Sequence, residues 1–183
     1  YVAVWAEDNT REALFDALQR HEVYASTGPR ITLRLFAGWG FTGEELYDAD
    51  FAAQGYRAGV PMGGQLNGSC EETGQVSILV KASRDPMGAN LDRIQIVKGW
   101  VDQGEHRERV YDVALSDGRK VGKDGQVVVV GNTVDIQSAT YANTIGAAEL
   151  GSVWIDRDFD PKQQAFYYAR VLEIPTPRWT TYD

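Results

Sequence analysis

Through most of this chain apolar and polar positions alternate with a period of two, and the alternation breaks at short clusters of Gly, Asp, Asn and Pro. The clearest case runs from Leu91 to Leu115. Ile94, Ile96 and Trp100 fall on one side of its first arm, with Arg93, Gln95 and Val97 on the other. Asp102-Gln103-Gly104-Glu105-His106 carries turn chemistry, and Tyr111, Val113 and Leu115 return in phase along a second arm from Val110. The pattern predicts a β-hairpin, which needs further strands because an isolated hairpin leaves its apolar face in water. Strands are expected over 31–36, where Ile31, Leu33 and Leu35 alternate with polar positions, around 51–57, over 76–82 and over 153–155. Val127 to Val130 reads as a strand buried on both faces. A last strand spans 165–174, with Phe166, Tyr168, Leu172 and Ile174 on one face. Between 137 and 152 a loop is expected, with one helical turn near Ala147 to Leu150.

The opening is different. Tyr1 to Trp5 reads as a strand already in progress, so a fragment of a longer protein is expected. Asn9 with Glu12 forms a capping pair for a helix to about Arg20, whose buried stripe would be Ala13, Leu14, Ala17 and Leu18. A strand followed by an amphipathic helix is the habit of α/β folds. After Gly28-Pro29 the pattern turns to about seven or eight short strands separated by turn signals, which points to an antiparallel β-sandwich, immunoglobulin-like or related. The fold class expected is therefore mainly β, with an N-terminal strand–helix appendage.

With 183 residues, 43% of them hydrophobic, the chain can bury one sizeable core. A net charge of −8 without clustered Lys and Arg argues against nucleic acid and against an anionic membrane surface, and no apolar run is long enough for membrane insertion. Cys70 stands alone, which excludes an internal disulfide and a thiolate metal cluster. His21 and His106 are the only histidines and lie far apart in sequence, one expected at a helix end and one exposed in the hairpin turn. No Gly-x-Ser-x-Gly string marks a nucleophile.

Asp156, Asp158 and Asp160 occupy the first, third and fifth positions of a calcium-loop pattern. Pro161 then stands where a glycine turn is needed and Tyr167 where a bidentate glutamate should be, which leaves the three as weak metal candidates. Asp160 capping a helical turn through Pro161 and Gln163 fits the string better. Gly38-Trp39-Gly40 and Gly63-Gly64 read as turns rather than anion nests, and Glu44-Glu45 and Glu71-Glu72 as solvated faces. Trp39 and Trp179 sit in loop-like contexts, where exposed rings would suit stacking on saccharide, although core packing is the commoner fate of such residues.

Five strings carry a family resemblance: Trp5 to Leu18, Glu22 to Ile31, Gly59 to Gly64, Leu91 to Trp100 and Phe166 to Trp179. Together they resemble a bacterial family, domain-of-unknown-function family 3604, across nearly the whole chain. Its members look like metallohydrolases of the PHP (polymerase and histidinol phosphatase) kind with a β-rich region after an α/β barrel. The resemblance implies that residues 1–30 end the upstream barrel and that residues 31–183 form the β-sandwich domain. It also implies a divalent metal bound upstream in the parent, no cofactor in this fragment, and export in many relatives. The expected role is a non-catalytic C-terminal accessory domain that packs on the barrel, its partner in the same chain, and gates its mouth. The alternative is a ligand- or carbohydrate-binding module using exposed aromatics. An accessory domain cut from its barrel should expose an apolar patch; the sequence leaves substrate and oligomeric state open.

Overall fold

The computed structural model describes residues 1–67 and 75–181; Cys70, Glu71 and Glu72 lie outside them. Among the described residues nine strands form three antiparallel sheets, accompanied by two short α-helices. Strands β1 (Val2–Val4) and β2 (Val23–Ala25) pair with each other around helix α1 (Arg11–Gln19). A four-stranded sheet is built in the order β4 (Gly59–Pro61), β3 (Thr32–Gly38), β5 (Ser77–Ser83), β8 (Glu149–Ile155). The three-stranded sheet runs β7 (Glu105–Leu115), β6 (Leu91–Asp102), β9 (Ala165–Glu173).

The two larger sheets share one core. Leu33 and Leu35 of β3, Ile78 and Val80 of β5, and Ile94 and Ile96 of β6 are buried in a single cluster. The far face of the four-stranded sheet is covered as well, by helix α2 (Phe51–Ala58) and the short helical turn Glu44–Tyr47 over Phe36 and Leu79. No such cover lies on the far face of the three-stranded sheet among the described residues, where Phe166 and Tyr168 are exposed.

The expected hairpin is present and is longer than its pattern indicates. Its turn is only Gln103-Gly104, both with positive φ (50° and 85°), the geometry that two-residue hairpin loops favour. His106 therefore lies within β7 opposite Val101, not in the turn. A register shift between Ile94 and Gln95 explains why simple alternation fails there.

Four local expectations are overturned by packing. Residues 51–57 form α2, not a strand, because Gly55 lets the helix lie directly on the Phe36 ring, with no room for even a methyl group between them. Phe51 and Tyr56 flank that ring edge-on at 5.9 and 5.1 Å. Val128 and Val129 are exposed in a loop and not buried in a strand, since among the described residues the only pairing of this run is the isolated bridge of Val127 with Val121. Leu150 belongs to β8 and pairs with Ala82, so sheet pairing overrides the helical turn expected near it. In β9 the buried side is that of Ala169 and Val171, packed on the core, while Phe166 and Tyr168 point away from it. Helix α1 is capped one residue later than expected, by the Thr10 side chain accepting from the Ala13 N–H at 3.2 Å. Of its expected stripe only Ala17 is fully buried.

Gly55→Ala tests the α2 contact. Alanine gains about 1 kcal/mol of helix propensity, but forcing a methyl onto Phe36 costs about 1–3 kcal/mol. Denaturant unfolding should show a net loss, and a gain would mean that α2 can lift from the sheet.

Candidate functional site

Three features of the structure could carry function: a groove, a polar network at its back, and a buried ion pair between the sheets. The groove, about 680 Å³, opens between β2 and β9. Its wall includes Ile31, Leu33, Leu35 and Met62, while Arg170 and Glu173 bring charge along β9. β9 is an edge strand, so its outer backbone groups are not engaged by a neighbouring strand on that side. Glu173 has one carboxylate oxygen buried with no hydrogen-bond partner. Burial raises its pKa, an effect that the Ala89 N–H opposes and Asp85 adds to. No nucleophile with an adjacent base stands among the residues that line this groove, whose wall is mainly apolar.

Behind the groove, the first thirty residues are bound to β3 by polar contacts. The Trp5 indole N–H donates to the Leu33 carbonyl at 2.9 Å, and the Arg34 guanidinium lies 3.8 Å above the Trp5 ring. Arg34 also donates to the Tyr56 hydroxyl at 2.9 Å. Tyr56 in turn donates to buried Glu22, which pairs with Arg20 at 3.1 Å. Burial and then Glu22 push the Tyr56 phenol above its ordinary value, which keeps it protonated and able to donate.

The third feature links the two larger sheets. Lys98 of β6 reaches Asp156, just beyond β8, at 2.6 Å, and both are buried. The same ammonium donates to the Asp158 carbonyl at 2.9 Å, and Tyr167 of β9 donates its hydroxyl to Asp156 at 2.6 Å. Burial, reinforced by the negative charge of Asp156, drives the Tyr167 phenol far above its usual range. Asp158 is taken by Arg109 at 2.8 Å and Tyr111 at 3.2 Å beside a cavity of about 250 Å³. Asp160 accepts from the Lys162 N–H at 2.9 Å and starts a turn closed by Gln163, without a helix.

The weak metal candidates Asp156, Asp158 and Asp160 thus lie on one loop, the first two facing cations of the protein itself. Among the described residues no group of three or more His, Cys, Asp and Glu side chains is arranged to hold a metal. Trp39 is half-buried, edge-on to Phe159 at 5.6 Å, and packs on the main core. Trp179 is exposed and lines neither cavity. Gly63 has φ +81° and lies in a turn against the backbone of His21, itself at φ +58° beyond the end of α1. Lys98 is not among the candidates the sequence suggests, and Tyr167 enters there only as the residue in place of a bidentate glutamate. The available signal was a lysine in phase with Ile94 and Ile96 on an otherwise apolar face.

Two substitutions test these assignments. Lys98→Met strands a buried carboxylate and should cost about 3–5 kcal/mol in denaturant unfolding. Adding Asp156→Leu should recover much of that loss, and a double variant whose loss equals the sum of the two single losses would show that the pair is not coupled. Glu173 has the opposite sign: with a folded pKa above its ordinary 4.5, it favours folding only in acid and loses that contribution as pH rises through the raised value. Glu173→Gln should therefore raise the melting temperature at pH 7 and make little difference at pH 4.

The described residues contain no helix long and apolar enough to cross a membrane. No curated protein and no solved structure matches the chain. The model of one family, described as protein of unknown function (DUF3604), matches residues 1–183, and the chain belongs to that family.

Proposed function

We propose that this chain is the non-catalytic C-terminal accessory domain of a metal-dependent hydrolase of the PHP kind, packing on an upstream α/β barrel and gating its mouth. In this reading the β1–α1 unit is the barrel's closing strand and helix, and the two larger sheets form a sandwich of immunoglobulin-like or related type. The divalent metal belongs to the barrel, and the parent is exported.

One observation carries the proposal. On α1, Phe15 is 58% exposed and Leu18 47% exposed, and Tyr1 and Val2 of the adjoining segment are exposed too. The inner side of this unit is held to β3 through Trp5 and by the Glu22–Tyr56–Arg34 contacts. A helix anchored on one side with large apolar residues on its other side needs a second surface to cover them. In this reading the cover is the upstream barrel that the family resemblance implies.

The test compares this chain with the longer parent. Phe15→Ser with Leu18→Ser should lower hydrophobic-dye binding by the isolated chain and change its melting temperature by no more than about 2 °C. In the parent the same pair should lower the melting temperature by several degrees. Hydrolysis of chromogenic phosphoesters with added manganese should occur in the parent and not in this chain. Activity in the isolated chain, or a parent indifferent to the double substitution, would overturn the proposal.

A further inference from the structure

The bare face of the three-stranded sheet carries a second apolar surface, separate from the α1 face. Phe166 is 61% exposed and Tyr168 44% exposed. Their rings lie nearly parallel, 10° apart in plane with centroids 6.4 Å apart. The Phe166 ring reaches across to β6 and occupies the space that a side chain at Gly99 would fill. Tyr168 stands opposite Val97, which is wholly buried although no second layer covers this face. The two rings therefore serve as the outer layer themselves and leave aromatic surface exposed to solvent.

Polar groups border that surface in register. Glu108 sits opposite Gly99, on the same face and next to the Phe166 ring, and no ion pair among the described residues engages it. On the other side of Tyr168, Arg170 donates to Gln95 at 2.9 Å and Gln95 donates to Asp112 at 2.9 Å, a cross-strand ladder that fixes the floor.

We propose that this face binds a neutral saccharide, one pyranose ring stacked on the Phe166–Tyr168 surface with its hydroxyls hydrogen-bonded to Glu108. The chemistry is complementary on both counts. The C–H face of an equatorially substituted pyranose is apolar, with slightly positive hydrogens that suit the negative face of an aromatic ring. An ionised carboxylate is a strong acceptor for the hydroxyls at the ring's edge. Charge narrows the class: Glu108 and the net charge of −8 repel sulfated and uronic polymers. An apolar protein partner would gain from the rings but would strand the carboxylate beside them without its water, whereas a hydroxylated ligand replaces that water with its own O–H donors.

The test is affinity electrophoresis and isothermal titration of the 183-residue chain against soluble neutral β-glucan and xylan, with alginate and a sulfated glycan as anionic controls. Retardation is expected with a neutral polymer and not with the anionic ones. Phe166→Ala and Tyr168→Ala should each weaken it at least tenfold, while Trp179→Ala leaves it unchanged. Glu108→Gln, an exposed and nearly isosteric change, guards against loss of fold and should weaken binding severalfold with an unaltered circular-dichroism spectrum. The proposal is overturned by no binding to any neutral glycan, by binding indifferent to Phe166 and Tyr168, or by preference for the anionic polymers. Concentration-dependent self-association that Phe166→Ala abolishes, with no glycan bound, would assign the face to a second copy of the chain instead.

Discussion

The pairing of Lys98 with Asp156 is the constraint on which the arrangement of the two larger sheets turns. Lys98 comes from the central strand of one sheet, and Asp156 follows the last strand of the other. Each would be costly to bury alone, so the ammonium requires the carboxylate to be at 2.6 Å and the carboxylate requires the ammonium. Apolar contacts alone tolerate sliding, whereas a buried ion pair with a third group, Tyr167, hydrogen-bonded to the same carboxylate does not. The pair therefore fixes which part of β6 faces the loop after β8 and, through that register, which side chains of the hairpin look inward.

That register has a consequence at the opposite face. With Ile94, Ile96 and Lys98 turned toward the core, Gln95, Val97 and Gly99 must face out, and the β9 residues opposite them are Arg170, Tyr168 and Phe166. The four-stranded sheet solves the same problem with α2, which covers Phe36 and Leu79. The three-stranded sheet instead lays aromatic rings over its own glycine and valine. One sheet is thus covered on both faces and the other leaves an aromatic surface in water.

The N-terminal unit is tied to the rest by contacts of a different kind. Trp5, Arg34, Tyr56 and Glu22 form a chain of hydrogen bonds and a cation–π contact that caps the part of β3 left unpaired by the short strand β4. Such capping leaves no room for β1 and α1 to swing freely on this side. Their other side, with Phe15 and Leu18, has no comparable cover among the described residues.

The amino-acid sequence by itself determined where β3, β5 and the β6–β7 hairpin lie, each visible as a strand pattern, and α1, visible in its helical spacing. It also determined the exclusions that follow from one cysteine, two distant histidines and a net negative charge. Tertiary structure decided the rest, because the answer there lay in a partner rather than in the segment. Phe51 to Ala58 became a helix because Gly55 meets Phe36, and Val127 to Val130 made only an isolated bridge, Val127 to Val121, and no strand. The short strand β2 has only three residues and pairs with an equally short β1, too little for a local pattern to register. The phase of β9 was settled by which of its faces met the core, and Lys98 was legible as an anomaly but not as half of a pair, since Asp156 lies 58 residues away. Local side-chain periodicity specifies that a face is apolar; only the fold specifies what, if anything, covers it.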